Sequence, residues 1–344
     1  MTAGRIRIDG GIPSTLAEVP RVAKRREEAG YDGGWTAETN HDPFLPLVLA
    51  AEHTERLELG TAIAVAFARN PMTLANLGYD LQAYSQGRFL LGLGSQIKSH
   101  IEKRFSMPWS KPAARMRELI LAMRAVWECW EDGTPLRFEG EFYRHTLMTP
   151  FFNPGPNPYG PPKVLLAAVG EKMTEVAGEV ADGMLVHAFT TEQYLREVTL
   201  PALERGRQVA GRAADGFQLS LPVFVVTGRT EDDMRAAAVG VREQIAFYAS
   251  TPAYRGVLEL HGWGDLQAEL TRLSKQGEWK QMGTLLDDDL LGTFAAVGTP
   301  KEVARTIGAR FTGVIDRMNF YMPYKPADGI VDELLDELRA TTAA

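Results

Sequence analysis

The 344-residue chain carries a single cysteine, Cys129, so neither an internal disulfide nor a zinc site built on cysteine pairs is available to it. A reducing compartment, the cytoplasm, is the expectation that follows. No apolar run reaches the roughly 18 residues that a membrane-spanning helix needs, and the opening MTAGRIRIDGG has no apolar stretch of signal-peptide length. No membrane association is therefore expected. Positive charge is also scarce: 44 acidic residues outnumber 37 basic ones, and the basic residues are scattered along the chain. Without a basic patch, nucleic acid is not an expected partner. The six histidines include no H-x-x-x-H pair, so no metal site is expected. There is no G-x-S-x-G elbow and no P-loop, which removes the best evidence for a hydrolase or an NTPase.

The chain does have ample material for a core, at 45% hydrophobic residues. Short β-rich apolar runs alternate with amphipathic stretches, the pattern of βα units feeding a parallel sheet. The runs at 5–9, 33–37, 57–67, 88–93, 163–168, 183–187, 218–226 and 317–322 predict eight strands. Helices are predicted over 14–30, 45–54, from beyond Pro71 to Ser85, over 113–130 and over 329–339. The third run, containing TAIAVAF, is almost wholly apolar, as a strand buried on both faces should be. A doubly wound sheet is the rival, but the turn after the first strand reads DGGIPST and lacks the glycine spacing of a dinucleotide site. Eight units favour a (β/α)8 TIM barrel, expected as one domain over 1–344. Two stretches interrupt it: 136–162, with a hairpin and the rigid NPGPNPYGPP loop, and 251–292, partly helical.

Active sites of such barrels lie at the C-terminal ends of the strands. After the second strand comes a polar cluster, Glu38, Thr39, Asn40, His41 and Asp42, with candidates for proton transfer in Glu38 and His41; the alternative is that Asn40 and Asp42 cap the following helix. After the fourth, Gly92, Gly94 and Ser95 allow close approach of a ligand to the backbone, or equally tight packing. After the fifth, Gly170 opens a helix whose first amides, at Glu171, Lys172 and Met173, suit an anion such as a cofactor phosphate; an ordinary turn is the alternative. His187 ends the sixth strand, facing the barrel mouth, and is a candidate for cofactor contact.

Three segments, GTAIAVAFARNPMTLA, SQGRFLLGLGSQ and VGEKMTEVAGEVADGMLVH, occur in this order and spacing. Together they resemble the luciferase-like monooxygenase superfamily, and within it the coenzyme F420-dependent oxidoreductases, over about Ile6 to Tyr321. The resemblance implies a cofactor lying across the strand ends, its ring over the third strand, where relatives carry a bulge with a non-prolyl cis peptide. The matching bond is Ala62–Ile63. It also implies a phosphate site at Val169, Gly170, Glu171, Lys172 and Met173, a ring-side loop at Gly94 and Ser95, and a polar contact to the cofactor tail at His100. The chain departs from luciferase itself, which has paired histidines where Thr39 and Asn40 stand. It departs from the superfamily's sugar-phosphate dehydrogenases at Thr39 and Ile97.

These features lead to three expectations. The first is hydride transfer between F420 and a small organic substrate, with Glu38, Asn40 and His41 protonating or polarising the substrate. The second is an FMN monooxygenase using reduced flavin and oxygen. The third is cofactor binding without catalysis. A homodimer is expected from the resemblance and the apolar fraction, and the stretch holding Tyr254, Trp263 and HGWGD is expected to shape the substrate pocket.

Overall fold

A computed structural model describes residues 5–342. Eight parallel strands close into a barrel: β1 (Arg7–Gly11), β2 (Gly33–Thr36), β3 (Glu58–Thr61), β4 (Phe89–Gly94), β5 (Lys163–Ala168), β6 (Gly183–Val186), β7 (Gln218–Val226) and β8 (Arg317–Tyr321). Each pairs with the next in sequence, and β8 returns to β1 through Arg7↔Arg317 and Ile8↔Met318. The expected (β/α)8 TIM barrel is the fold.

Alternation along the strands divides the apolar residues into two cores. Ile8, Leu59, Leu91, Leu93, Val164, Leu166, Met184, Leu219, Leu221 and Met318 point outward and pack under the helices. Leu90, Leu165 and Leu185 point inward and meet Trp35, Ile63 and Ala167 in a small core inside the barrel. Glycine is required where backbones or rings crowd this interior. A Cβ at Gly60 would lie 2.5 Å from the Trp35 ring, and one at Gly92 would lie 1.7 Å from the Thr61 carbonyl oxygen. The N-terminal end of the barrel is plugged by charge. Arg317, 0% exposed, reaches Asp9 through Nε at 2.8 Å and Nη2 at 2.7 Å, and its Nη1 contacts Glu58.

Several bounds differ from the sequence pattern. β1 runs two residues further, through Gly10 and Gly11, which the pattern reads as a turn. The apolar run at 57–67 is not one strand: β3 stops at Thr61, the chain turns at Ala62 and Ile63, and pairing resumes at Ala64–Val65 against Leu93 and Gly94. Apolar character is the same on both sides of the break, so periodicity does not reveal it. The excursion at 136–162 does contain a hairpin, Phe138–Glu139 paired with Arg144–His145. Its proline-rich part bonds to the end of the helix Pro71–Tyr84, through Tyr79 and Gln82, and so braces the N-terminal side of the barrel.

The stretch at 251–292 is helical through most of its length, with helices Arg255–Leu260, Gly264–Gln276, Trp279–Thr284 and Asp288–Phe294. With the helix Glu231–Ala249 they enclose a separate apolar core that includes Phe189, Phe224 and Val226 from the ends of β6 and β7. This helical cap thus stands on one side of the barrel mouth. Among the described residues no helix is long and apolar enough to cross a membrane.

Candidate functional site

The break after β3 brings the chain across the mouth of the barrel. The Ala62–Ile63 peptide is cis, at the bond the resemblance indicated. The Ala62 amide donates to the Thr36 carbonyl at 2.7 Å, and the Glu38 amide donates to the Ile63 carbonyl at 3.0 Å. Gly94 lies against the Ile63 side chain, which a Cβ there would approach to 2.7 Å. Gly11, Ala37 and Ala62 are exposed at the strand ends. Small side chains therefore leave room above this floor for a flat group.

The polar cluster after β2 is split in two by the fold. Glu38 turns inward, its side chain only 7% exposed, and its Oε2 accepts from the Val65 amide at 2.7 Å and from Arg69 Nη1 at 2.6 Å. Arg69 also donates to the Val65 carbonyl at 3.1 Å and to Asp42 at 3.3 Å, and lies over the Phe44 ring at 5.3 Å. Asp42 accepts from the amides of Phe44 and Leu45, so it caps the start of the following helix. Asn40 does not cap it. Its side-chain oxygen accepts from Thr39, and both Asn40 and His41 are exposed. Ser95 follows β4 and donates to the Gln96 carbonyl, while His100 is exposed on the short helix Lys98–Lys103. Arg104, just beyond it, donates to the Thr39 carbonyl and ties this loop to the polar cluster.

After β5 the chain turns at Gly170, with φ 77°, into the helix Glu171–Val180. That backbone angle suits glycine, and the open space around Gly170 leaves the first turn of the helix uncovered. Val169, Gly170, Glu171 and Lys172 are exposed, and Met173 packs partly into the outer core. Glu171 pairs with Arg205 at 2.6 Å, which also holds Glu175 at 2.7 Å. A cleft joins this turn to His187, Thr190 and Tyr254.

His187 has a defined state in that cleft. Its Nδ1 accepts from the Phe189 amide at 3.0 Å, which leaves the ring proton on Nε2. Its ring stacks on Tyr254 and meets Tyr248 edge-on, each at 4.6 Å between centroids. Burial lowers its pKa to about 4, so it is neutral at pH 7. Thr190, 8% exposed, has a buried hydroxyl with no hydrogen-bond partner. An unsatisfied hydroxyl beside an open helix N-terminus fits a polar, oxygen-rich ligand.

Tyr254 lines the cleft, but Trp263 does not: it stacks on His261 and packs into the core of the cap. Four residues have no clear signal in the sequence, Arg69, Thr190, Tyr248 and Tyr321. The last two join hydroxyls at 2.8 Å behind the His187 ring, and burial, together with the bond to Tyr248, raises the Tyr321 pKa.

Comparison with known proteins agrees with this architecture. The chain is 59% identical, over 92% of its length and 93% of the relative's, to an uncharacterised protein of Mycobacterium tuberculosis. It is 27% identical to the 5,10-methylenetetrahydromethanopterin reductase of Archaeoglobus fulgidus, over 84% of this chain and 85% of that protein. Among solved structures, the coenzyme F420-dependent tetrahydromethanopterin reductase of Methanopyrus kandleri superposes with a TM-score of 0.77 at 21% identity, covering 97% of each chain. The oxygenating constituent of 3,6-diketocamphane monooxygenase of Pseudomonas putida, in complex with FMN, superposes with a TM-score of 0.66 at 15% identity, covering 99% of each chain. The luciferase-like monooxygenase model matches residues 1–317, and the chain belongs to that family.

Proposed function

We propose that this protein transfers a hydride between coenzyme F420 and a small organic substrate. The observation that carries the reading is the open turn Val169–Met173, an uncovered helix N-terminus that shares a cleft with the unpartnered Thr190 hydroxyl and the Nε2 proton of His187. Amides at a helix start, with the helix dipole behind them, favour a phosphate. The likeness to methylenetetrahydromethanopterin reductases points to the deazaflavin rather than FMN.

When bound, F420 supplies a carbon centre that accepts or gives a hydride. The protein holds the groups around it. Glu171, Lys172 and Met173 offer amides to the phosphate, and His187 adds a neutral donor beside them. Ala62 and Ile63 back the ring, Gly94 and Ser95 border it, and His100 meets the tail. In oxidation of an alcohol, F420 would supply the hydride acceptor, and the hydroxyl proton would be left to the protein's own residues. His41, exposed at the mouth, takes that proton, and Asn40 donates a hydrogen bond to the substrate oxygen. Glu38 is already engaged by Val65 and Arg69 and takes no part in this proton transfer.

A single domain, a homodimer and a cytoplasmic location belong to the same reading. Leu45, Val48 and Tyr84, exposed on neighbouring helices, support the dimer. The test is anaerobic turnover of oxidised F420 with a panel of small alcohols, followed by loss of its fluorescence. Reduction without oxygen supports hydride transfer. Turnover seen only with reduced FMN and oxygen would replace it by the monooxygenase reaction.

A further inference from the structure

We propose that Glu38 is a positioning residue whose ion pair with Arg69 fixes the Ala62–Val65 turn at the barrel mouth. The assignment of that turn as the backing of a cofactor ring rests on the function proposed above; the clamp itself rests on geometry. Glu38 holds the turn at two points, by its own amide to the Ile63 carbonyl at 3.0 Å and by its carboxylate to the Val65 amide at 2.7 Å. Arg69 closes the ring of contacts, bonding the same carboxylate oxygen at 2.6 Å and the Val65 carbonyl at 3.1 Å. Arg69 is in turn fixed by Asp42 at 3.3 Å and by the Phe44 ring beneath it. Glu38 and Arg69 together thereby hold both the amide and the carbonyl of Val65.

Without these side-chain bonds, the turn keeps two backbone bonds, from Ala62 to Thr36 and from Glu38 to Ile63, and the short pairing of Ala64 and Val65 with β4. The far side of Ala62 is open. A shift of the turn would pass directly into the exposed Ala62–Ile63 peptide. The same contacts argue against Glu38 as a proton carrier. Its side chain is buried, and swinging out would leave Arg69 and the Val65 amide without their partner. Charge-assisted bonds of this kind hold geometry more strongly than neutral ones.

The full-length protein and its Glu38→Ala, Glu38→Gln and Arg69→Met variants provide the test, with two readouts. The first is hydrogen exchange of the peptide covering 61–68 in cofactor-free protein. The clamp predicts faster exchange there in Glu38→Ala and Arg69→Met, and near-normal protection in Glu38→Gln, because the amide oxygen can still accept from Val65 and Arg69. The second is titration with F420, and with FMN as a second probe. Affinity is expected to fall about tenfold or more in Glu38→Ala and about threefold or less in Glu38→Gln, which corresponds to a separation of roughly 0.7 kcal/mol or more between the two. Unchanged exchange over 61–68 in Glu38→Ala would overturn the clamp. Equal loss of affinity in Glu38→Gln and Glu38→Ala would overturn it in favour of a direct role for the acid. If the unmodified protein bound neither cofactor, the function proposed above would fail, and exchange alone would still decide the clamp. Should Glu38→Ala not fold, Arg69→Met and Glu38→Gln carry the same comparison.

Discussion

Replacing Arg317 by methionine removes the guanidinium at the barrel floor and leaves Asp9, 3% exposed, without its bidentate partner. Breaking a buried pair from one side costs about 3–5 kcal/mol, because the remaining charge is stranded away from water. For a chain of this length that corresponds to a fall in melting midpoint of roughly 4–7 °C. The pH dependence adds a second signature. Burial raises the Asp9 pKa and Arg317 opposes that rise, so the variant's Asp9 should titrate higher still. A carboxyl whose folded pKa lies above its unfolded value adds stability below the unfolded pKa and loses it as pH rises through the folded one. The deficit of Arg317→Met should therefore be larger at about pH 8 than at about pH 5. Differential scanning calorimetry at both pH values, on Arg317→Met and on Asp9→Leu/Arg317→Met, measures it. The double variant should recover part of the loss, since an apolar pair of similar volume strands no charge. A single-variant cost below about 1 kcal/mol, or a double variant less stable than the single, would refute the reasoning.

Other outcomes follow from the same geometry. Gly92→Ala puts a Cβ 1.7 Å from the Thr61 carbonyl oxygen and should cost about 3 kcal/mol or more, read as loss of soluble protein or a lowered midpoint. His187 has a folded pKa of about 4 against an ordinary 6.5, so its contribution is present above pH 6.5 and is lost as pH falls toward 4. His187→Phe should flatten that acid-side loss in a pH series of melting curves. Gly170→Val forces a branched side chain into a φ of 77° beside the open amides. It should weaken FMN and F420 about tenfold more than riboflavin, which has no phosphate to lose; equal weakening of all three in calorimetric titrations would remove the phosphate from this turn.

The barrel is legible in the sequence because strands covered on both faces read as short, nearly continuous apolar runs, and eight of them occur in order. The turn at Ala62–Ile63 is hidden for the same reason: apolar residues continue through it, and only the family resemblance marked the bond. Gly170 is legible as a helix start because a glycine follows a strand and precedes an amphipathic stretch. Glu38 is recognisable as a chemically important type in the right place, but its orientation is not. Its partner Arg69 lies 31 positions along the chain, and the contact exists only once β2 and β3 pair. Thr190 and the Tyr248–Tyr321 pair are likewise products of tertiary packing. The cap was visible as an interruption of the metre, while its helical content, and Trp263 in its core rather than in the cleft, emerge from packing against β6 and β7.

Titration of cofactor-free protein with F420 and with FMN, side by side and followed by fluorescence quenching, tests the central claim most directly. The account predicts saturable binding of F420, tighter than that of FMN and competed by inorganic phosphate. Binding of FMN alone, or of neither, would contradict it.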